Sequence, residues 1–292
     1  MNQVLAFGEI LWDIIDGEAH LGGAPLNFAA HIKKCGGNSA IVSCLGNDKW
    51  GEKAITEVAS LGVNTDLILR RNKKTGMVMV TLNQGQPDYE IIKPVAYDYI
   101  DSGRLDHDLI KQFSVFYFGT LAQRSDSSRE ALYDILERHD FGHVFYDVNL
   151  RKNSFNKDIV LKSLQHATIF KINDEEVPVV SEFICGKQLE LESFCETLKS
   201  QFKQIKVVII TAGGDGCYVH HNKSLQKITA IPITVADTVG AGDSFSAAFL
   251  IRFLKDGDAK KAAEVANQVG GFVASQSGAI PNYSSELKRL FS

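Results

Sequence analysis

Short apolar runs alternate with helical patterns along most of the chain. Buried strands are predicted where the apolar runs fall, at 3–7, 40–45, 115–118, 144–146, 168–172 and 207–210. Amphipathic periodicity predicts helices at 126–138, 157–166, 188–203, 243–255 and 258–275. An earlier helix should begin near Pro25 and end near Gly36. This alternation favours a single α/β domain over residues 1–292, built on a doubly wound, mostly parallel sheet.

Two segments depart from this rhythm. Residues 77–82 and 89–92 alternate apolar and polar positions around the polar stretch 83–88, which predicts a β-hairpin. We expect this hairpin to pair with residues 12–21 as a small separate sheet that covers a cleft. That lid would span approximately 11–22 and 74–97. An antiparallel edge of the main sheet would explain the same alternation.

Composition and charge narrow the classes of function. A formal charge of -4 and a pI near 6.1 provide no basic surface for nucleic acid or an anionic membrane. The 5 cysteines are scattered, without a CxxC pair, which indicates reduced thiols and no zinc site. The chain starts without a basic signal-peptide region and has no apolar run of membrane-spanning length. We therefore expect a cytoplasmic protein that acts on small molecules.

The segment 237–249, DTVGAGDSFSAAF, joins a glycine-rich turn to the start of a helix. Gly240 and Gly242 allow a ligand to approach the backbone, and the free N–H groups of a helix start bind anions. Asp243 lies inside this turn, where the local field is expected to favour its ionised form. It is either a general base beside an anion hole or a carboxylate that complements the helix dipole.

Polar residues and glycines also follow the other predicted strands. In open α/β sheets, ligands bind outside the carboxyl ends of the strands, so these positions favour a ligand cleft, although capping explains any one of them. Residues 211–216, TAGGDG, could approach a phosphate or ribose. The acidic run 173–176 suits Mg²⁺ held through water, or an acid-rich helix start. No Walker A sequence is present, which argues against a P-loop kinase.

Three further side chains have two readings each. Asp13 is either a turn residue or a ligand for a polar small molecule. Asn27 is either a capping amide in the first turn of its helix or part of a site beside the preceding glycine pair. Arg151 either faces substrate or phosphate, or forms a structural ion pair.

Three motifs resemble those of the ribokinase (PfkB) family of carbohydrate kinases. They are GGAPLN at 22–27, DTVGAGD at 237–243 and the NxxE spacing of Asn173 and Glu176. The similarity spans essentially the whole chain. Within the family, the 22–27 segment, FGTLAQR at 118–124 and DVNLR at 147–151 are most similar to bacterial fructokinases. Kinases of 2-keto-3-deoxygluconate share the DxNxR feature and are the nearest alternative, followed by other sugar or nucleoside kinases of the fold. A catalytically silent sugar sensor is an alternative of a different class.

The resemblance implies ATP-dependent phosphorylation of the 6-hydroxyl of D-fructose, with Mg²⁺ and K⁺. It makes Asp243 the base, and the backbone of Gly240, Ala241 and Gly242 the anion hole. The implied sugar-binding residues are Asp13, Gly22, Gly23, Asn27 and Arg151. Those implied around ATP are Asn173, Thr211, Gly213, Gly216 and Asn267. Glu176 would organise Mg²⁺ through water, and the implied monovalent-cation site comprises Asp237, Val239, Val273, Gln276 and Gly278. Lids of relatives pair with a second copy, which makes a homodimer a candidate assembly.

Overall fold

The computed structural model describes residues 3–83 and 86–291. Its strands are β1 (Gln3–Phe7), β2 (Leu11–Ile15), β3 (Glu18–Gly22), β4 (Asn38–Gly46), β5 (Ile68–Arg71), β6 (Gly76–Asn83), β7 (Gln86–Ile91), β8 (Val115–Phe118), β9 (His143–Asp147), β10 (Ile169–Asn173), β11 (Val207–Thr211), β12 (Cys217–His221) and β13 (Ser224–Ile228). Its helices are α1 (Ala24–Lys34), α2 (Lys49–Ser60), α3 (His107–Ile110), α4 (Asp126–Arg138), α5 (Lys157–His166), α6 (Val177–Cys185), α7 (Leu191–Gln201), α8 (Ala241–Asp256), α9 (Ala259–Ala274) and α10 (Ser285–Arg289).

The main sheet confirms the predicted doubly wound α/β architecture. Within the described chain its strand order is β13-β12-β11-β10-β9-β8-β1-β4-β5, and every neighbouring pair is parallel except β11–β12 and β12–β13. Successive residues of β1 face opposite sides, as the pleat requires. Val4 and Ala6 join the core beneath α1, α8 and α9, and Leu5 and Phe7 join the core beneath α4–α7. The carboxyl ends of the parallel strands therefore meet along a single edge between two helical layers.

The second sheet is small and separate, with strand order β3-β2-β6-β7. β2 pairs antiparallel with β3 and parallel with β6, and β6 pairs antiparallel with β7. This confirms that the hairpin and residues 12–21 form their own sheet, and the main-sheet edge alternative is wrong. The centre of the predicted hairpin turn, residues 84 and 85, lies outside the described residues.

α6 was not predicted, nor were the short helices α3 and α10, and one predicted helix begins later than expected. α6 occupies residues 177–185, where Pro178 in the first turn and Gly186 in the left-handed conformation at φ 71 mark its two ends. The predicted helix at 188–203 is shorter, because α7 begins at Leu191 and ends at Gln201. No helix within the described ranges is long and apolar enough to cross a membrane.

Phe28 joins α1 to the sheet, and its replacement should test this packing. The side chain is 0% exposed, and its ring stacks on that of Tyr117 with centroids 3.7 Å apart. Phe28→Ala should lower the free energy of unfolding by about 3–5 kcal/mol, because it leaves a cavity in the core. Urea unfolding measures this change. The control Ile231→Ala, at a side chain 61% exposed, should stay within about 0.5 kcal/mol of the parent; equal losses would refute the packing argument.

Candidate active site

A cavity of about 1710 Å³ lies between the carboxyl edge of the main sheet and the small sheet. Its lining combines the loop after β1, the small sheet, α1, the ends of β9–β11 and the segments 237–243 and 277–280. A typical pocket for one small molecule measures about 300–1,000 Å³. The cavity can therefore hold two small ligands side by side.

The glycine turn before α8 is shaped by a close backbone contact. Gly240 adopts φ 77, and a Cβ at this position would lie 2.4 Å from the carbonyl oxygen of Ala279. The Ala241 N–H donates to the Thr238 carbonyl at 3.2 Å. The N–H groups of Gly242 and Asp243, in the first helical turn, have no acceptor within the helix. These two amides are therefore open to an anion, whereas that of Ala241, which the resemblance places in the anion hole, already has an acceptor.

Asp243 lies in this first turn and contacts a residue distant in sequence. Asn27 Nδ2 donates a hydrogen bond of 2.8 Å to Asp243 Oδ2. Burial raises the pKa of Asp243 to about 6, although the Asn27 bond, Lys171 and Arg151 oppose this shift. The expectation that the local field favours the ionised form is wrong, because desolvation outweighs the favourable charges. A carboxylate with this pKa is still ionised at neutral pH and is a stronger base than an exposed aspartate.

The glycine pair before α1 packs against two acidic residues. A Cβ on Gly22 would lie 2.6 Å from Asp13 Oδ2, and one on Gly23, at φ 114, would lie 2.5 Å from the Glu9 carbonyl oxygen. Asp13 lies in β2 and lines the cavity, and burial raises its pKa to about 6 against the effects of Arg151 and His20. The two glycines thus let the small sheet lie close to the start of α1.

Gly23, Asn27 and Arg151 line the cavity together with Asp13. Asn27 is 4% exposed, and its Oδ1 is buried with no hydrogen-bond partner among the described residues. A buried amide oxygen without a partner is an unused hydrogen-bond acceptor. Asn27 thus holds the base candidate through its nitrogen and keeps an unused acceptor in the wall of the cavity.

Sequence reasoning left three cavity residues without a role: Glu9, Asp147 and Lys171. Glu9 is 4% exposed, and burial, reinforced by the charge of Asp243, raises its pKa to about 7. Its position directly after the glycine that ends β1 is a signal that could have identified it. Lys171 lies inside an apolar strand, and its cavity-facing position follows from the order of the strands rather than from local sequence.

The residues predicted around ATP fall into two groups. Asn173 and Thr211 are register neighbours at the ends of β10 and β11, and both line the cavity. Gly216 and Asn267 instead lie close to Ile228, and neither belongs to the cavity lining that the described residues form. A Cβ on Gly216 would lie 2.1 Å from the Ile228 carbonyl oxygen, and Asn267 Nδ2 donates to that same oxygen at 3.1 Å.

Gly213 begins the short turn after β11, with φ 50. It is also absent from the lining formed by the described chain.

Glu176 also lines the cavity, but both of its oxygens accept backbone hydrogen bonds. Oε1 receives the Leu150 N–H at 2.6 Å, and Oε2 receives the Asn173 N–H at 3.0 Å. Burial raises its pKa. The parts of the chain that are described contain no cluster of three or more acidic, histidine or cysteine side chains able to hold a metal ion. This donor set fits Mg²⁺ that keeps water and phosphate oxygens as its ligands.

The predicted monovalent-cation residues are brought together in part. Asp237, Val239 and Gly278 line the cavity, with Asp237 Oδ1 accepting from Val239 N at 2.9 Å and Oδ2 from Gly278 N at 3.2 Å. Val273 is 0% exposed inside α9, and its carbonyl accepts the Gln276 N–H at 3.0 Å. Neither Val273 nor Gln276 belongs to the described lining.

The fold agrees with comparisons to known proteins. The model of the pfkB family carbohydrate kinases matches residues 5–286. The chain belongs to this family. The kinase is 28% identical to a probable fructokinase-5 of Arabidopsis thaliana, over 95% of this chain and 93% of that protein. It is equally 28% identical to a putative sugar kinase of Pyrococcus horikoshii, over 95% and 92% of the two chains.

Solved structures show the same architecture. The crystal structure of the Pyrococcus horikoshii sugar kinase in complex with ATP superposes on this chain with a TM-score of 0.83. The two sequences are 26% identical, and the superposition covers 95% of this chain and 94% of that one. A fructokinase of Xylella fastidiosa with bound ATP gives a TM-score of 0.84 at 21% identity, over 95% and 94%, which shows the fold. The kinase is therefore a carbohydrate kinase of the PfkB family.

The turn before α8 provides a test with two neighbouring glycines. Gly240→Ala must place a Cβ against the Ala279 carbonyl at a positive φ, so unfolding should become easier by at least about 1–2 kcal/mol. Gly242→Ala is the matched control, since its Cβ would first meet Lys171 Nζ at an ordinary 3.7 Å. Urea unfolding and kinase assays compare the two variants. A Gly240→Ala variant as stable as Gly242→Ala would contradict the described turn.

Proposed function

We propose that the kinase is a fructokinase that transfers the γ-phosphoryl group of ATP to the 6-hydroxyl of D-fructose. The observation that carries this proposal is the Asn27–Asp243 contact at the start of α8. It places a carboxylate and an unpaired amide oxygen beside the amides of the glycine turn. A sugar hydroxyl needs such acceptors, and a phosphoryl group needs such donors.

In this proposal the residues around Asp243 have separate roles in phosphoryl transfer. Asp243 takes the proton of the attacking hydroxyl, because its pKa of about 6 suits a base at neutral pH. The N–H groups of Gly242 and Asp243 face the charge on the moving phosphoryl group. Asp13, Asn27 and Arg151 hold the remaining sugar hydroxyls. Catalysis then comes mainly from positioning and charge stabilisation.

The ATP side of the proposal rests on the ends of β10 and β11. Asn173 and Thr211 face the cavity there. The segment after β13 exposes apolar Ile231 at 61% and Val235 at 60%. Such a surface suits the flat face of a purine. Glu176 would order the water ligands of Mg²⁺, which would supply positive charge beside the phosphate oxygens.

The proposed site for a monovalent cation lies in the segment that leads into the glycine turn. Asp237 and the carbonyl of Val239 would hold it behind the glycine turn. The Asp237 carboxylate already accepts two backbone N–H groups, so K⁺ would have to share those oxygens.

Charge balance favours a neutral sugar over a sugar acid. The guanidinium of Arg151 acts electrostatically on three carboxyl groups of the cavity, those of Glu9, Asp13 and Asp243. An anionic substrate would be repelled by the same carboxylates that accept hydrogen bonds from a neutral polyol. The fructokinase names of several relatives agree with this choice. Arg151 itself is the observation that keeps a 2-keto-3-deoxygluconate kinase as the second candidate.

The small sheet is proposed to act as a lid over the sugar. It carries Asp13 on β2, and Val78 and Ile91 from β6 and β7 also line the cavity. A bound sugar that contacts Asp13 would therefore stabilise the closed position of this sheet. A homodimer formed through the lid and a cytoplasmic location stay predictions.

Asp243→Asn tests the base and its protonation. We expect kcat to fall by roughly 10²–10⁴, the range for a lost general base, with a much smaller change in sugar affinity. The parent enzyme should lose kcat/KM below about pH 6, where Asp243 becomes protonated, and keep it above that pH. Steady-state kinetics between pH 5 and about pH 9 measure both effects.

Glu9→Gln is the control for this profile, because Glu9 also titrates near neutrality. The fall of kcat/KM at low pH, the acid limb of the profile, should lie at nearly the same pH in Glu9→Gln as in the parent. Near-normal turnover by a folded Asp243→Asn enzyme would refute the base assignment.

A sugar panel with ATP tests the substrate. D-Fructose should give the highest kcat/KM, ahead of 2-keto-3-deoxygluconate, ribose and adenosine, and NMR should place the phosphate on the 6-oxygen. The matched control is 6-deoxyfructose, which lacks the accepting hydroxyl and should not react. Without sugar, ATP hydrolysis should be slow, as a closing lid requires. A higher kcat/KM for 2-keto-3-deoxygluconate would transfer the proposal to the second candidate, and no turnover with any sugar would support a silent sensor.

A further inference from the structure

A buried ion pair lies directly beneath the glycine turn. Asp147 ends β9, and Lys171 is its register neighbour on β10. Lys171 Nζ lies 3.0 Å from Asp147 Oδ1 and 2.8 Å from Oδ2, with the two residues 7% and 3% exposed. Oδ2 also accepts from the hydroxyl of Tyr117 at 3.2 Å. The carboxylate thus has a cation and additional donors inside the protein.

Ser246 connects this pair to the first turn of α8. Its Oγ lies 3.0 Å from Asp147 Oδ2 and 2.9 Å from the Gly242 carbonyl oxygen. Lys171 Nζ is also close to the turn, 3.7 Å from the place of a Cβ on Gly242. The pair therefore contacts the segment that supplies both the amides and the base of the proposed site.

Stability alone gives a weak reason for this pair. Removing two charges from water is costly, and apolar residues of similar size are often as stable in such positions. The pair faces the cavity, and its partners Tyr117 and Ser246 lie on two further elements, β8 and α8. This arrangement suits a pair that holds the first turn of α8 in place and balances the charge beside Asp243.

We propose that Asp147 and Lys171 are positioning residues for phosphoryl transfer, which hold the first turn of α8 through Ser246 and balance the charge beside Asp243. This inference rests on the proposed function, in which Asp243 is the base. The pair acts through Asp243 and α8, while the sugar is held by other residues.

The charges around Asp243 determine in which direction each variant should shift its pKa. The groups that face it from neighbouring elements are Glu9 after β1, Asn27 on α1, Tyr117 on β8, Asp147 and Arg151 at and after β9, and Lys171 on β10. Asp147 raises the pKa of Asp243, whereas Lys171 lowers it. Removing Asp147 leaves the positive charge of Lys171 unpaired, and removing Lys171 leaves the negative charge of Asp147 unpaired. The two removals should therefore shift the pKa of Asp243 in opposite directions.

The experiment compares the acid limbs of kcat/KM for Lys171→Met and Asp147→Asn. Lys171→Met should move the limb to higher pH and Asp147→Asn to lower pH, each by about one unit, a shift typical of a lost neighbouring charge. The double variant should return the limb close to its parent position. Its kcat should stay at least about tenfold lower, because the anchor of the α8 turn is weakened.

Two control variants separate charge from packing. Ser246→Ala keeps both charges, so it should lower kcat and leave the limb in place. Asp98→Asn breaks another buried pair at this cavity, the contacts of 2.8 and 2.9 Å with Arg124, and should also leave the limb in place. Sugar KM should change little in the double variant. A double variant with the parent kcat, or single variants whose limbs move together or not at all, would overturn the proposal.

Folding and substrate identity are controlled separately. If Lys171→Met fails to fold, Asp147→Asn and the neutral double variant still test the opposite shift and its reversal. The kinetics use whichever sugar the parent enzyme phosphorylates fastest, so a substrate other than fructose leaves the test intact. If the parent turns over no sugar, the proposed function fails. The pair is then tested by a ¹³C NMR titration of the Asp243 carboxyl carbon, assigned with Asp243→Asn. An Asp243 pKa that does not move in the charge variants would refute it.

Discussion

Buried carboxylates at the carboxyl edge of the sheet impose the main constraint on this kinase. Burial opposes the charge of every acid at this edge, so each requires a donor or a cation close by. Asp147 has Lys171 at hydrogen-bond distance, whereas the hydrogen bond to Asp243 comes from the neutral amide of Asn27. This difference in partners distinguishes a carboxylate suited to anchoring from one suited to exchanging a proton.

Close backbone contacts around the same edge explain where glycine is needed. At Gly22 a side chain would displace the Asp13 carboxylate, and at Gly23 and Gly240 it would collide with carbonyl oxygens of Glu9 and Ala279. These contacts bring the small sheet, α1 and α8 within reach of one another. The signature glycines thus form the site by allowing three elements to converge, in addition to leaving room for a ligand.

Fold similarity and site chemistry answer different questions about this chain. A TM-score of 0.83 to the sugar kinase of Pyrococcus horikoshii establishes the architecture and, with the family match, sugar kinase activity. The choice of sugar depends on the side chains that a shared fold carries, here the balance between three carboxyl groups and Arg151. Fructose is therefore proposed because the charges of the site favour a neutral sugar.

Local sequence was sufficient for most elements and for the glycine turn. β1 and β8 were predicted at their observed bounds, and α4 and α5 agree with their predicted ranges, because apolar periodicity is a property of neighbouring residues. α6 was missed, since Pro178 and a short apolar run resemble a loop or strand as much as a helix. Asn27 and Asp243 could be selected by their motifs, although 216 residues separate them.

The protonation state of that pair and the identity of its supporting charges came from tertiary structure. Burial, which reversed the expected shift of the Asp243 pKa, depends on which elements cover a residue. Lys171 reads as one polar residue in an apolar strand until β9 and β10 pair and set it against Asp147. The sequence alone determined which groups are available for catalysis. The packing of the strands and helices decided which of them share a charge, because electrostatic interactions depend on distance and burial rather than on order along the chain.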